Sequence, residues 1–239
     1  MNVVALIVCL SLLAVALNGF IRTRHLIAVG TNLAHKAIRY EQSGRSPRIL
    51  IIGDSTAVGT GASESKKSLA GLVGQHYPTA LIRNHGVNGA KVSQAIRQLE
   101  REPEKNWDIV ILHIGGNDTV RFTNLSRLRA DFHELLKRAK KHGHEVVHVS
   151  TGSLGTAQLL PWGSRWMFTL RTRQTRAIFL EEAQKLGIHT VDLFREKADD
   201  PFAQDAKTYY AADLFHPSDA GYADWFSRIQ PVLDRLHSR

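Results

Sequence analysis

Cysteine is almost absent from this chain of 239 residues, with Cys9 as its one example. Because Cys9 lies in an apolar N-terminal stretch, the remainder can hold neither an internal disulfide nor a thiol nucleophile. Proline (7) is also sparse, glycine (18) is at its ordinary level and no repeat recurs, which excludes collagen-like, low-complexity and solenoid classes. Acidic residues are outnumbered, 22 against 31 Lys and Arg, for a net charge of +9. Such a charge can attract nucleic acid or anionic lipid. No nucleic-acid motif accompanies it, so nucleic acid is not an expected partner.

Several catalytic signatures are missing too. A Gly-x-Ser-x-Gly elbow would need glycine where Ala57 follows Ser55, and Gly53, Gly59 and Gly61 do not fit G-x-G-x-x-G. Lys66 and Lys67 lack the preceding glycine of a phosphate-binding loop, and His133-Glu134 has no second histidine at zincin spacing. His142, His144 and His148 come close together without a cysteine or acidic ligand set. No metal or organic cofactor is implied.

Charge is missing altogether from residues 2–21, NVVALIVCLSLLAVALNGFI, a run long enough to span a bilayer as a helix. Ala16, Leu17 and Asn18 make a poor cleavage site and no basic residue precedes the run, which favours a retained anchor over a cleaved signal. Arg22, Arg24, Lys36 and Arg39 all follow it, and the positive-inside rule places what comes after on the cytoplasmic side.

The length suits one domain with an appendage, since about 100–200 residues per domain is usual. Residues 1–21 are assigned to a single-pass transmembrane anchor or uncleaved signal, 22–47 to a connecting helix and linker ended by Ser43–Pro47, and 48–239 to the folded domain. Apolar runs RILIIGD (48–54), TALIRN (79–84), DIVILHIG (108–115), EVVHVST (145–151) and, more weakly, IHTVDL (188–193) are predicted strands. Helical stretches separate them, including 124–141, 168–186 and 217–237, and this alternation predicts an α/β sheet covered on both faces. Leu125, Leu128, Phe132, Leu135 and Ala139 form the inward stripe of the first of these. The segment 152–167 fits no element; its Pro161, Trp162, Trp166 and Met167 either wall an acyl pocket beyond the strand ends or pack on the domain.

Ser55 follows the first strand in Gly53-Asp54-Ser55-Thr56. To be reactive it needs a base, a carboxylate to orient that base, and donors for an oxyanion. Asp213-Leu214-Phe215-His216-Pro217 can supply the first two, because the spacing lets Asp213 reach the imidazole Nδ1 while Nε2 faces the serine. Pro217 suits a first helical position. Gly115-Gly116-Asn117-Asp118 brings an asparagine amide to the same sheet edge, and a glycine of Asn84–Gly89 can present a bare N–H. Each piece is common alone; all of them at the ends of predicted elements mark a site.

With GDSTAVG at 53–59, NHGVNG at 84–89, GGND at 115–118 and DLFHP at 213–217, the chain resembles the SGNH, or GDSL, hydrolases over about residues 48–237. Thr56 stands where the family name has leucine. The resemblance implies a flavodoxin-like three-layer α/β/α domain with a central parallel sheet, preceded here by the N-terminal membrane helix. It implies Ser55 as nucleophile and first oxyanion N–H, Gly89 as second donor with Gly86 competing, Asn117 as third, His216 as base and Asp213 as its partner. The implied activity is hydrolysis of carboxylic esters through an acyl-enzyme, as esterase, lipase, thioesterase or deacetylase. The alternative is an O-acyl or acetyl transferase, or a deacetylase, acting on cell-envelope carbohydrate. Expected partners are an ester substrate, with lipid among the candidates, and the membrane. Enzymes resembling this one often work outside the cytoplasm, so the side of the membrane stays open.

Overall fold

The computed structural model describes residues 3–237. Five parallel strands, β1 (Arg48–Gly53), β2 (Leu81–Asn84), β3 (Trp107–His113), β4 (Gly143–Val149) and β5 (His189–Val191), form one sheet in the order β2-β1-β3-β4-β5. The helices are α1 (Val3–Lys36), α2 (Ser55–Val58), α3 (Leu69–His76), α4 (Val92–Glu100), α5 (Gly116–Val120), α6 (Leu125–Ala139), α7 (Arg165–Lys185), α8 (Pro201–Gln204), α9 (Ala206–Tyr209) and α10 (Asp219–His237). This is the flavodoxin-like three-layer α/β/α arrangement expected from the sequence.

Successive side chains of a strand point to opposite faces, so the apolar runs feed two cores. Ile49, Ile51, Ile109, Ile111, Val147 and Val149 pack with Leu69 and Val73 of α3 and Tyr222, Ile229 and Leu233 of α10. Leu50, Ile52, Val110 and Leu112 pack on the other face with Val92 and Leu99 of α4, Leu128, Phe132 and Leu135 of α6, and Phe179 of α7. Each such side chain contributes about 1.5–3 kcal/mol when fully buried.

The order reverses at β1, whose chain continues to β2 on one side while β3 lies on the other. That topological switch point is where open α/β sheets place their ligand crevice. In register, Gly53 stands beside His113, so the segments following β1 and β3 leave the sheet side by side.

α1 has no break between residues 21 and 22 and ends at Lys36, well before Ser43. Its two halves differ in surroundings. The side chains described between Val3 and Ile21 are all exposed, although this is the most apolar stretch of the chain. The second half lies along the carboxyl edge of the sheet, where Leu26 is buried, Arg22 Nη1 donates to Gln158 O (2.8 Å) and Ala34 O accepts from Asn88 Nδ2 (2.9 Å). Beyond it Gln42 pairs antiparallel with Ile82 and covers the edge of β2.

Two local expectations change. Trp166 and Met167 lie in the first turn of α7, preceded by short 3-10 turns at Leu154–Thr156 and Trp162–Ser164. Pro217 precedes the last helix, forming a bridge with Tyr210, and the side chain of Ser218 accepts from Gly221 N–H near the helix start.

Candidate active site

Ser55 opens α2, and the residue before it prepares the turn. Asp54 is the N-cap: its Oδ1 accepts from Thr56 N–H at 3.0 Å and from Thr56 Oγ1 at 2.7 Å. Gln98 of α4 grips the end of β1, donating to Gly53 O and accepting from Gly53 N–H, each at 2.9 Å. Asn84, at the end of β2, donates to Ala57 O (2.8 Å) and accepts from Gly86 N–H (2.9 Å). These three buried polar side chains hold the turn that carries Ser55.

His216 Nε2 lies 3.0 Å from Ser55 Oγ, and His216 Nδ1 lies 2.5 Å from Asp213 Oδ2. Asp213 Oδ1 also accepts the backbone N–H groups of Phe215 and His216, both at 3.0 Å. A carboxylate on Nδ1 assigns the proton to that nitrogen and leaves Nε2 to accept from the serine. Burial alone would raise the Asp213 pKa, but the His216 ring and the two backbone N–H groups outweigh it and hold the carboxyl below the usual carboxylate range. Asp213 is fully buried, and Gly30 of α1 is part of its cover.

Ser55 and His216 open onto a hollow of about 40 Å³, also lined by Asp54, His113, Gly116, Asn117, Thr151, Phe215 and Trp225. The Asn117 amide is 3.5 Å from Asp54 Oδ2, so Asp54 both caps α2 and steers Asn117. Burial raises the Asp54 pKa despite its bonds to Thr56. His113 is pushed down to about 3, mainly by burial and further by neighbouring His148, so the ring that faces Trp225 edge-on at 5.5 Å is neutral at pH 7.

Of the two candidate oxyanion glycines, Gly86 has already given its N–H to Asn84. Gly89 adopts φ +74° and its N–H has no protein acceptor among the described residues, but it does not line the hollow. The structure thus brings Ser55, His216 and Asp213 into one hydrogen-bonded chain with Asn117 beside it, and sets Gly89 apart.

The aromatics of 152–167 do not wall this hollow. Trp162 and Trp166 line a separate groove of about 690 Å³ with Arg165, Thr169, Leu170 and Arg173, while Thr151, just before that segment, lines the hollow at Ser55. Roles for Asp54, Asn84, Gln98 and Gly30 were not assigned from sequence. Asp54 alone had a local signal, an aspartate directly before the first helical residue; the others act across distant segments.

A family model described as GDSL-like Lipase/Acylhydrolase matches residues 51–223. No curated protein matches. Among solved structures, a member of the lipolytic G-D-S-L family from Veillonella parvula superposes with a TM-score of 0.65 at 17% identity, covering 79% of this chain and 98% of its own. The psychrotrophic esterase EstA from Pseudoalteromonas sp. gives 0.61 at 14% identity, over 81% of this chain and 100% of its own. An acetylxylan esterase from Geobacillus stearothermophilus gives 0.58 at 19%, over 79% and 94%.

Proposed function

The chain belongs to the GDSL-like lipase/acylhydrolase family, and on that premise we propose that it is a membrane-anchored serine esterase working through Ser55, His216 and Asp213. The observation that carries the reading is the unbroken sequence of hydrogen bonds from Asp213 through His216 to Ser55. His216 takes the serine proton at Nε2 as Ser55 Oγ attacks the ester carbonyl, and Asp213 stabilises the imidazolium that forms. The imidazolium then protonates the departing alcohol, leaving an acyl-enzyme. Water, deprotonated by the same histidine, releases the acid and restores Ser55.

Negative charge on the carbonyl oxygen falls to the Ser55 N–H at the start of α2 and the Asn117 amide, which border the hollow; Gly89, outside its lining, is the third candidate donor. Asn117 is supported by its place in the hollow. Gly89 is favoured over Gly86 by its unengaged N–H and left-handed backbone. The outward-facing apolar half of α1 is read as the retained anchor that keeps the domain at a membrane.

Exposure to a fluorophosphonate probe tests the assignment. One equivalent of label on the Ser55 peptide, with none on Ser55→Ala, supports it; labelling at another serine, or none, counts against it.

A further inference from the structure

Four large apolar side chains stand in solvent close together: Trp162 (86% exposed), Trp166 (66%), Met167 (42%) and Leu170 (50%). Trp166 and Leu170 are one turn apart on α7, and Trp162 lies in the turn just before it. Grouped apolar exposure of this kind marks an interaction surface, whereas single exposed apolar residues do not.

The patch is tied to α1. Arg22 Nη1 donates to Gln158 O at 2.8 Å, and Arg165, beside Trp166, reaches the same carbonyl at 3.4 Å. Arg22 is also the first charged residue after the uncharged run that ends at Ile21. Where the apolar half of α1 crosses a bilayer, this contact fixes Trp162 and Trp166 at the level where the span emerges. Tryptophan, an apolar body with one N–H donor, favours that level. Arg22, Arg24 and Arg165 form no ion pair among the described residues, whereas Arg173 in the adjoining groove is matched by Glu196.

We propose that Trp162, Trp166, Met167 and Leu170 dock into the headgroup boundary of the same bilayer that α1 crosses, with Arg22, Arg24 and Arg165 facing anionic headgroups. The domain is then held at two points and its orientation on the membrane is fixed. This rests on the anchor reading of α1 given above. It is independent of the catalytic roles, because none of the four patch residues lines the Ser55 hollow.

The test uses the full chain in phosphatidylcholine vesicles with and without phosphatidylglycerol, carrying lipids brominated near the glycerol end of the acyl chain. Trp107 and Trp225 are buried and serve as internal references. Co-flotation with the vesicles together with bromine quenching of tryptophan fluorescence is expected, stronger with phosphatidylglycerol. Trp162→Ala/Trp166→Ala should lose most of the quenching yet still float and keep wild-type hydrolysis of a short soluble ester. Flotation without quenching overturns the docking proposal and leaves the anchor standing; failure to float overturns both. If the double variant instead abolishes a dimer, the patch is a contact between copies and the bilayer is not its partner.

Discussion

Gly30 of the N-terminal helix lies against Asp213 so closely that a Cβ built on it would sit 2.8 Å from the carboxylate Oδ2 and 3.5 Å from Asp213 Cβ. The half of α1 nearest the domain therefore roofs the buried carboxylate that orients His216. Any side chain at position 30 must push either the helix or Asp213 aside. Displacement of a catalytic group by about 1 Å can cost on the order of 100-fold in rate. Gly30→Ala is expected to lower kcat by about 10- to 100-fold with little change in the circular dichroism spectrum, and Gly30→Val by more. Wild-type kcat in Gly30→Val would show that the helix does not constrain the carboxylate.

The same packing divides α1 into an exposed apolar half and a half that rests on the domain, for which the account predicts different roles. Removing residues 1–21 should release the protein from membranes and leave kcat on a short soluble ester unchanged, because Arg22, Leu26, Gly30 and Ala34 remain. Removing residues 1–36 exposes Asp213 and discards the burial of Leu26, worth about 1.5–3 kcal/mol. At about 2–4 °C per kcal/mol for a domain of this size, Tm should fall by several degrees and activity with it. Identical Tm values for the two truncations, measured by differential scanning fluorimetry, would contradict this division.

Asn117 and Asp54 should fail in different ways. Loss of one oxyanion donor usually costs on the order of 100- to 1000-fold in turnover, so Asn117→Ala should show that loss in kcat with KM and Tm little altered. Asp54→Ala removes the cap of α2 and the acceptor of the Asn117 amide together. It should lower kcat and also cost about 0.5–2 kcal/mol of stability. Steady-state kinetics and denaturant titrations of both variants distinguish the two patterns.

Stability should weaken in mild acid because of two buried histidines. Burial lowers His113 to about 3 and His148 to about 4, below the ordinary value near 6.5 of an unfolded chain. Between these values the unfolded state binds more protons, so stability is full above about pH 6.5 and falls as pH drops toward 4, by up to about 1.4 kcal/mol per pH unit for each histidine. His148 packs edge-on against Phe132 and Phe179, so His148→Leu should flatten the acid limb of a Tm-against-pH curve. An unchanged acid limb would assign the loss to other groups.

What was legible in the sequence followed from local pattern. β1, β3 and β4 are legible as branched apolar runs because they lie inside the sheet and their inner residues are buried on both faces; the two edge strands carry less signal, β2 being half-buried along Leu81–Asn84 and β5 spanning only His189–Val191. The convergence of Ser55, Asn117, Asp213 and His216 could be anticipated because each stands in a short block at an element end, and the structure brings the four together. The aromatics of 152–167 were ambiguous for a physical reason: Trp162 looks the same in sequence whether it walls a pocket or faces solvent, and it faces solvent. Least legible were contacts between segments distant in the chain, such as Gln98 on Gly53 and Gly30 on Asp213, since periodicity and capping carry no information about partners so far apart.

The central claim is that Ser55 is the nucleophile of an ester hydrolase, and hydrolysis of a p-nitrophenyl ester series, from acetyl to long acyl, by the full chain and by Ser55→Ala tests it most directly. The account predicts turnover by the wild-type chain that falls by more than about 10⁴-fold in the variant for every ester cleaved. Equal rates for the two proteins would contradict it.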